Sequence, residues 1–216
     1  MPVSIPETGL GYSTADVRDG LREVHNDGME PFLGALRDRR TGTAAFRAAA
    51  RILCLGIMRK QKALLKKRGM ASEPVVLVVI LRAAIALLDP ALRVFPDAPV
   101  GVFGMKRDER TKVARWYYEN LPRLSKRSVI IVLDPMLATG GSAEAAVRRL
   151  VGRGADPKRI YFIGVVAAPE GVARLARRIP RGNITLAAVD EKLDAGKMIV
   201  PGLGDFGDRY FGYDRT

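Results

Sequence analysis

One cysteine and one histidine occur in 216 residues, and each scarcity removes a class of explanation. Cys54 cannot close an internal disulfide, and its apolar helical surroundings make burial the commoner fate. His25 falls in the least readable part of the chain and reads as structural or solvent-facing rather than catalytic. No apolar run approaches the ~20 residues needed to cross a bilayer. Met1–Gly20 is polar, without the charged-then-apolar layout of a secretion signal, so a cytoplasmic protein is expected. Internal repeats, low-complexity tracts and long Gly/Ser linkers are missing too. What is plentiful is hydrophobic residues, 48% of the chain, enough for one substantial core in one domain.

Acidic residues are in deficit: 36 Lys and Arg against 23 Asp and Glu leave a formal charge of +13. Such an excess favours encounter with anions, either nucleic acid or a polyphosphorylated small substrate, or it is only a solvated basic surface. The cations are spread over clusters such as Arg59–Arg68, Arg123–Arg127 and Arg174–Arg181, without interleaved aromatic residues or a reading helix, which weakens the nucleic-acid reading.

Thr43–Lys67 has no proline and is rich in Ala, Leu, Arg and Lys, which predicts one long helix or two short ones ending at Gly69. Apolar runs predict strands at Val75–Leu81, Val100–Met105, Ser128–Leu133, Ile160–Val166 and Ile184–Val189. Helices are expected at Ala83–Val94, Ser142–Val151 and Gly171–Ile179. Unbroken Val/Ile/Leu runs suit strands covered on both faces, so an open, mostly parallel α/β sheet flanked by helices is expected. Ligands of such sheets lie beyond the carboxyl ends of the strands. The first 35 residues read as an accessory segment and 36–216 as the main domain.

The stretch VIIVLDPMLATGGSAEAAVRRL, Val129–Leu150, runs from a strand through Asp134 and a loop with Thr139, Gly140, Gly141 and Ser142 into a helix. Consecutive glycines let a backbone approach a ligand closely. Together with two hydroxyls and the free amides of a helix start they form a phosphate cradle, and Asp134 could accept hydrogen bonds from sugar hydroxyls. No lysine follows the glycines and the spacing is not GxGxxG, so this is neither a Walker loop nor a dinucleotide fingerprint. An ordinary glycine turn with Ser142 as helix cap is the plainer alternative.

Asp134–Ser142, DPMLATGGS, resembles the 5-phosphoribosyl-1-pyrophosphate loop of uracil phosphoribosyltransferases, and VPGLGDFGDRYFG, Val200–Gly212, resembles that family's uracil-binding loop. Shorter similarities fill the interval: Leu36–Arg47, Ile80–Ala83, Lys106–Thr111, Tyr117–Pro122 and Val166–Gly171. The resemblance implies a phosphoribosyltransferase-like fold and transfer of phosphoribose from the pyrophosphate donor to uracil, giving UMP. It implies that Asp134, Pro135, Met136, Leu137, Ala138, Thr139, Gly140, Gly141 and Ser142 hold the donor, with the 5-phosphate on the backbone of 138–142. Arg82 and Arg107 match the arginines that bind pyrophosphate, and Asp205 matches a residue that contacts the phosphoribosyl group. Met198, Ile199, Gly204, Asp205 and Phe206 would surround uracil, with the main chain of Ile199, Gly204 and Phe206 bonding it. Catalysis would rest on Arg82, Arg107, Asp134 and Asp205, with Mg2+ carried by the substrate rather than by a protein metal site.

The chain departs from the family at several points. Val79 stands for proline, Ala84 for glycine, Met198 for tyrosine, and Lys60 or a neighbour for glutamate. The stretch between Lys60 and Val75 is too short for the β-hairpin arm that relatives extend to a partner subunit, so a homo-oligomer built through a modified interface is expected. GTP activation stays open. Two other readings stand beside the first: a relative with altered base choice, and a non-catalytic sensor of nucleotide that binds RNA.

Overall fold

The computed structural model of the chain describes residues 22–23, 28–107 and 114–213. His25 and residues 108–113 lie outside them, as does the side chain of Arg107.

The strands are β1 (Arg22–Glu23), β2 (Val75–Leu81), β3 (Val100–Arg107), β4 (Ala114–Asn120), β5 (Val129–Leu133), β6 (Met136–Leu137), β7 (Ile160–Ile163), β8 (Val166–Ala167), β9 (Ile184–Leu186), β10 (Ala188–Val189), β11 (Lys192–Leu193) and β12 (Ile199–Val200). A seven-stranded sheet runs in the order β1-β9-β7-β5-β2-β3-β4. All its neighbours are parallel except β3 and β4. Successive residues of one strand feed two cores. Leu77, Val79, Ile131 and Leu133 enter one, while Val76, Val78, Ile80, Ile130 and Val132 enter the other. Burial on both faces is the physical reason these runs show no apolar–polar alternation.

Two helix layers cover the faces. On one side lie α1 (Glu30–Arg37), α2 (Thr43–Lys67) and α3 (Ile85–Val94); on the other α4 (Gly141–Gly152) and α5 (Pro169–Leu175). A short helix, α6 (Phe206–Phe211), follows the last strand. Thr43–Lys67 forms one helix, and its buried residues Phe46, Ala49, Ala50, Leu53, Cys54, Ile57, Met58, Leu64 and Leu65 fall on one stripe, as a 3.6-residue period requires. Burial pushes the Cys54 thiol up to about 12, so it packs as a small inert hydrophobe. Residues 68–74, between α2 and β2, hold turns and no strand, so no hairpin arm projects there.

Several boundaries differ from the sequence reading. The runs Ile160–Val166 and Ile184–Val189 each break in two, at Gly164–Val165 and at Ala187. The offset halves β10, β8 and β6 form a separate three-stranded parallel sheet, joined through Val165 N to Pro135 O (2.9 Å) and Ala187 N to Val165 O (3.0 Å). Three neighbouring strands thus bend together just past their carboxyl ends. α5 starts at Pro169 and stops at Leu175. α1, α6 and the edge strand β4, which no apolar period announces, were not expected.

Candidate active site

At the carboxyl ends of β2 and β5 lies an open cleft of about 330 Å3. Arg82, Asp134, Met136, Leu137, Ala138, Gly140, Gly141, Ser142, Met198, Ile199 and Asp205 line it. Residues from four separate stretches of sequence therefore meet in one place.

The phosphate-loop end is the most local part. β5 ends at Leu133, Asp134 turns out half-buried at the strand tip, and α4 begins seven positions later. Gly140 is the residue before the helix and sits at φ 73°, ψ 2°, a left-handed conformation that costs a side-chain-bearing residue. The N-cap residue Gly140 offers no side chain to α4, and the helix dipole favours negative charge at its first turn. Thr139 Oγ1 accepts a long bond from Gly141 N (3.5 Å). Behind the loop, α5 comes so near that a methyl group on Gly171 would strike the carbonyls of Ala138 and Leu137. Glu144, in the first turn of α4, clips α5 in place by bonding Arg174 Nε (2.5 Å) and Arg178 Nε (2.8 Å). Burial works to raise the Glu144 pKa, but the hydrogen bonds and positive charge of the two arginines outweigh it and hold the carboxyl below its ordinary value.

Arg82 follows a cis peptide at Leu81–Arg82, on the turn between β2 and α3. Ala84 has φ −65° and ψ −10°. Its backbone is ordinary right-handed helix and its methyl group is buried, so the alanine is accommodated without a strained turn.

The tail end of the cleft is built by long-range contacts. β11 and β12 pair as a hairpin whose tip, Asp194–Met198, brings Lys197 and Met198 to the cleft. After it the chain runs through Gly202–Asp205 into α6. Arg37 of α1 grips the buried Asp190 with two bonds (2.9 and 2.5 Å) and donates to Gly202 O (2.8 Å), while Asp190 accepts from Gly202 N (2.8 Å). Arg209, also buried, donates to the carbonyls of Leu36, Leu203 and Asp38 and lies over the Phe46 ring at 4.4 Å. Phe206 turns its ring into the core, edge-on to Phe46 at 5.2 Å, and its N–H lies 3.4 Å from Met136 Sδ.

Four of the expected residues do not line the cleft: Pro135, Thr139, Gly204 and Phe206. Pro135 and Thr139 belong to the loop wall, and the Pro135 carbonyl is taken by Val165 N and Val166 N. Gly204 and Phe206 flank Asp205. The backbone of Arg107 ends β3 opposite Ala114. Lys197 is a cleft residue that the sequence reading missed. Its only signal is a cation between Gly196 and Met198, in a tip whose geometry depends on Asp194. Among the described residues, no three His, Cys, Asp or Glu side chains group closely enough to hold a metal ion. Two carboxylates, Asp134 and Asp205, border the cleft.

Residues 55–213 match the family model described as uracil phosphoribosyltransferase. The chain belongs to that family. A uracil phosphoribosyltransferase from Campylobacter curvus is 44% identical over 146 residues, which are 68% of this chain and 69% of that one. Another from Clostridium acetobutylicum is 39% identical over 194 residues, covering 83% of this chain and 92% of its own. Among solved structures, the AQ2163 protein from Aquifex aeolicus superposes with a TM-score of 0.79 at 31% identity, covering 88% of this chain and 97% of that chain. An APRTase from Giardia lamblia shares the fold at a TM-score of 0.51 and 15% identity, covering 83% of this chain and 99% of that one. The resemblance carried by DPMLATGGS and VPGLGDFGDRYFG is therefore borne out, as is the mostly parallel α/β fold.

Proposed function

We propose that this uracil phosphoribosyltransferase family member transfers the phosphoribosyl group of 5-phosphoribosyl-1-pyrophosphate to N1 of uracil. The products are UMP and pyrophosphate, so the reaction is a pyrimidine salvage step, and residues 36–216 are its catalytic domain. The carrying observation is the cleft itself, where a helix start, a strand-tip carboxylate, an arginine and a glycine-rich tail converge at the carboxyl ends of the strands.

In this reading the amides of 138–142 take the 5-phosphate at the start of α4. Asp134 accepts from the ribose hydroxyls, Asp205 borders the phosphoribosyl group, and Arg82 and Arg107 hold the pyrophosphate. Arginine suits that place because its planar fork offers paired donors to phosphate oxygens and stays charged. The main chain of Ile199, at the cleft wall, offers donor and acceptor groups to a flat base, Met198 packs beside it, and Gly204 and Phe206 would join them only after Phe206 N–H leaves Met136 Sδ. The bond from C1 to the pyrophosphate oxygen breaks as the bond to N1 forms and the N1 proton is released, through an oxocarbenium-like state by analogy with glycoside cleavage. The protein stabilises separating charge and aligns the base, with no covalent nucleophile.

Asp134 and Asp205 are oxygen donors of the kind Mg2+ uses when it is shared with substrate phosphates. Bound there with the donor, the metal would supply positive charge to the leaving pyrophosphate. A cytoplasmic setting fits this chemistry, and no helix among the described residues is long and apolar enough to cross a membrane. We also read the protein as a homo-oligomer assembled without the hairpin arm, which light scattering on the purified chain checks.

The deciding assay mixes purified protein, Mg2+, the phosphoribosyl donor and labelled uracil. Appearance of UMP is expected. Reaction with other bases but not uracil would replace the reading with one of altered base choice. No reaction, together with salt-sensitive RNA binding, would replace it with that of a non-catalytic sensor.

A further inference from the structure

We propose that the segment after the cleft, through Asp208, Phe211 and Tyr213, positions Arg82, so that one short piece of chain serves both the base end and the pyrophosphate end of the site. This rests on the reading of Arg82 as a pyrophosphate-binding residue.

The Arg82 side chain is 60% exposed, and a long side chain in water samples many rotamers that binding would have to freeze. Here it is surrounded. Its Nη2 lies 3.8 Å from Asp208 Oδ1, and its guanidinium carbon lies 5.8 Å from the Phe211 ring centre and 5.5 Å from that of Tyr213. An exposed ion pair of that length restrains little by itself. Two aromatic rings add cation–π attraction, which occupies none of the guanidinium N–H groups and leaves them to donate to phosphate oxygens. An arginine can thus be held and still bind.

The chain path makes the arrangement specific. Asp205 borders the cleft and begins α6, where its carboxylate accepts from Asp208 N (2.9 Å). Phe206 anchors the helix in the core against Phe46. After Phe211 the chain turns at Gly212, with φ 80°, and Tyr213 N donates to Asp208 O (2.8 Å). The turn sets Tyr213 beside Phe211, ring centres 6.2 Å apart, with both rings facing Arg82. One end of a six-residue helix therefore carries a cleft carboxylate, and the other end carries the groups that hold the arginine.

The test is calorimetric binding of the phosphoribosyl donor with Mg2+ to the full chain, which needs no base and no turnover. Tyr213→Leu removes the ring but keeps bulk and should weaken binding about two- to fivefold, the range expected for one exposed cation–π contact. Tyr213→Phe should bind as the parent does. Asp208→Asn should change binding less than Tyr213→Leu does, because the exposed ion pair at 3.8 Å restrains the arginine only weakly. Combined with Arg82→Ala, Tyr213→Leu should add nothing, because the arginine it positions is gone. Full-strength binding by Tyr213→Leu, or losses that multiply with Arg82→Ala, would overturn the positioning role. If Arg82→Ala itself leaves donor binding unchanged, the reading of Arg82 falls and the proposal with it.

Discussion

At the glycine-loop end of the cleft β5, the loop and α4 follow one another along the chain without interruption, whereas the tail end is held by Arg37, 153 positions from Asp190, and by Arg209, 173 positions from Leu36. One end is a local motif whose shape comes from glycine conformations and a helix start. The other is a tail kept in place by two guanidiniums, one buried and one partly buried, that satisfy carbonyls and a carboxylate. Local geometry of the first kind survives changes elsewhere in the molecule. The second kind couples base recognition to global stability, since burying a charge is tolerated only while its partners remain.

That contrast can be broken most forcefully at Asp190. Asp190→Ala leaves Arg37 without its paired acceptor and Gly202 N without its own. Removing one member of a buried pair costs about 3–5 kcal/mol, and Arg37, at 27% side-chain exposure, places this near the lower end. Urea unfolding should show the loss, and KM for uracil should rise more than donor affinity falls. Equal effects on both substrates would mean that the two ends are not built separately.

Gly171→Ala probes the opposite end. The new methyl group presses on the Ala138 and Leu137 carbonyls, and overpacking of this kind costs about 1–3 kcal/mol. Donor binding, measured by calorimetry, should weaken at least as much as stability falls, with uracil KM nearly unchanged. Ser142→Ala should be milder, about 1 kcal/mol or roughly fivefold in donor affinity, the net worth of one hydrogen bond. No change in donor binding would remove the Ser142 hydroxyl from the cradle.

The smallest effect at neutral pH, and the sharpest in pH dependence, concerns Glu144. Its folded-state carboxyl titrates below the unfolded value. The contribution of its arginine pairs is therefore complete above the ordinary carboxylate range and is lost as the pH falls through the lowered folded value. Glu144→Gln should flatten that acid limb of the stability–pH curve and leave neutral stability almost as it was, because both arginines are close to half exposed. An unchanged acid limb would show that Glu144 does not titrate with folding.

Much of this architecture was legible beforehand because its causes are short-range. The helix Thr43–Lys67 and the strand Val75–Leu81 have the predicted bounds, since each carries its own period or unbroken apolar run. Helix α1, at eight residues, is too short for its pattern to stand out. Edge strand β4 exposes Trp116, Tyr117 and Tyr118 and so never presents a buried face to read. Gly164 and Ala187 looked like strand interior. Only the neighbouring strand, bonding Val165 and Ala187 in a new register, makes them bends.

By itself the sequence determined the parallel sheet, the glycine loop at a helix start and family membership, because runs of β-branched residues, a glycine pair at a helix start and long motifs act within a few residues of themselves. Tertiary structure alone decided that Arg37, Asp190 and Arg209 form the scaffold of the C-terminal tail, that Lys197 reaches the cleft, and that Arg82 lies against Phe211 and Tyr213. Those residues look like ordinary surface charges in one dimension. Their role depends on which desolvated partners the fold brings within hydrogen-bonding or ring-contact distance, and no local pattern encodes that.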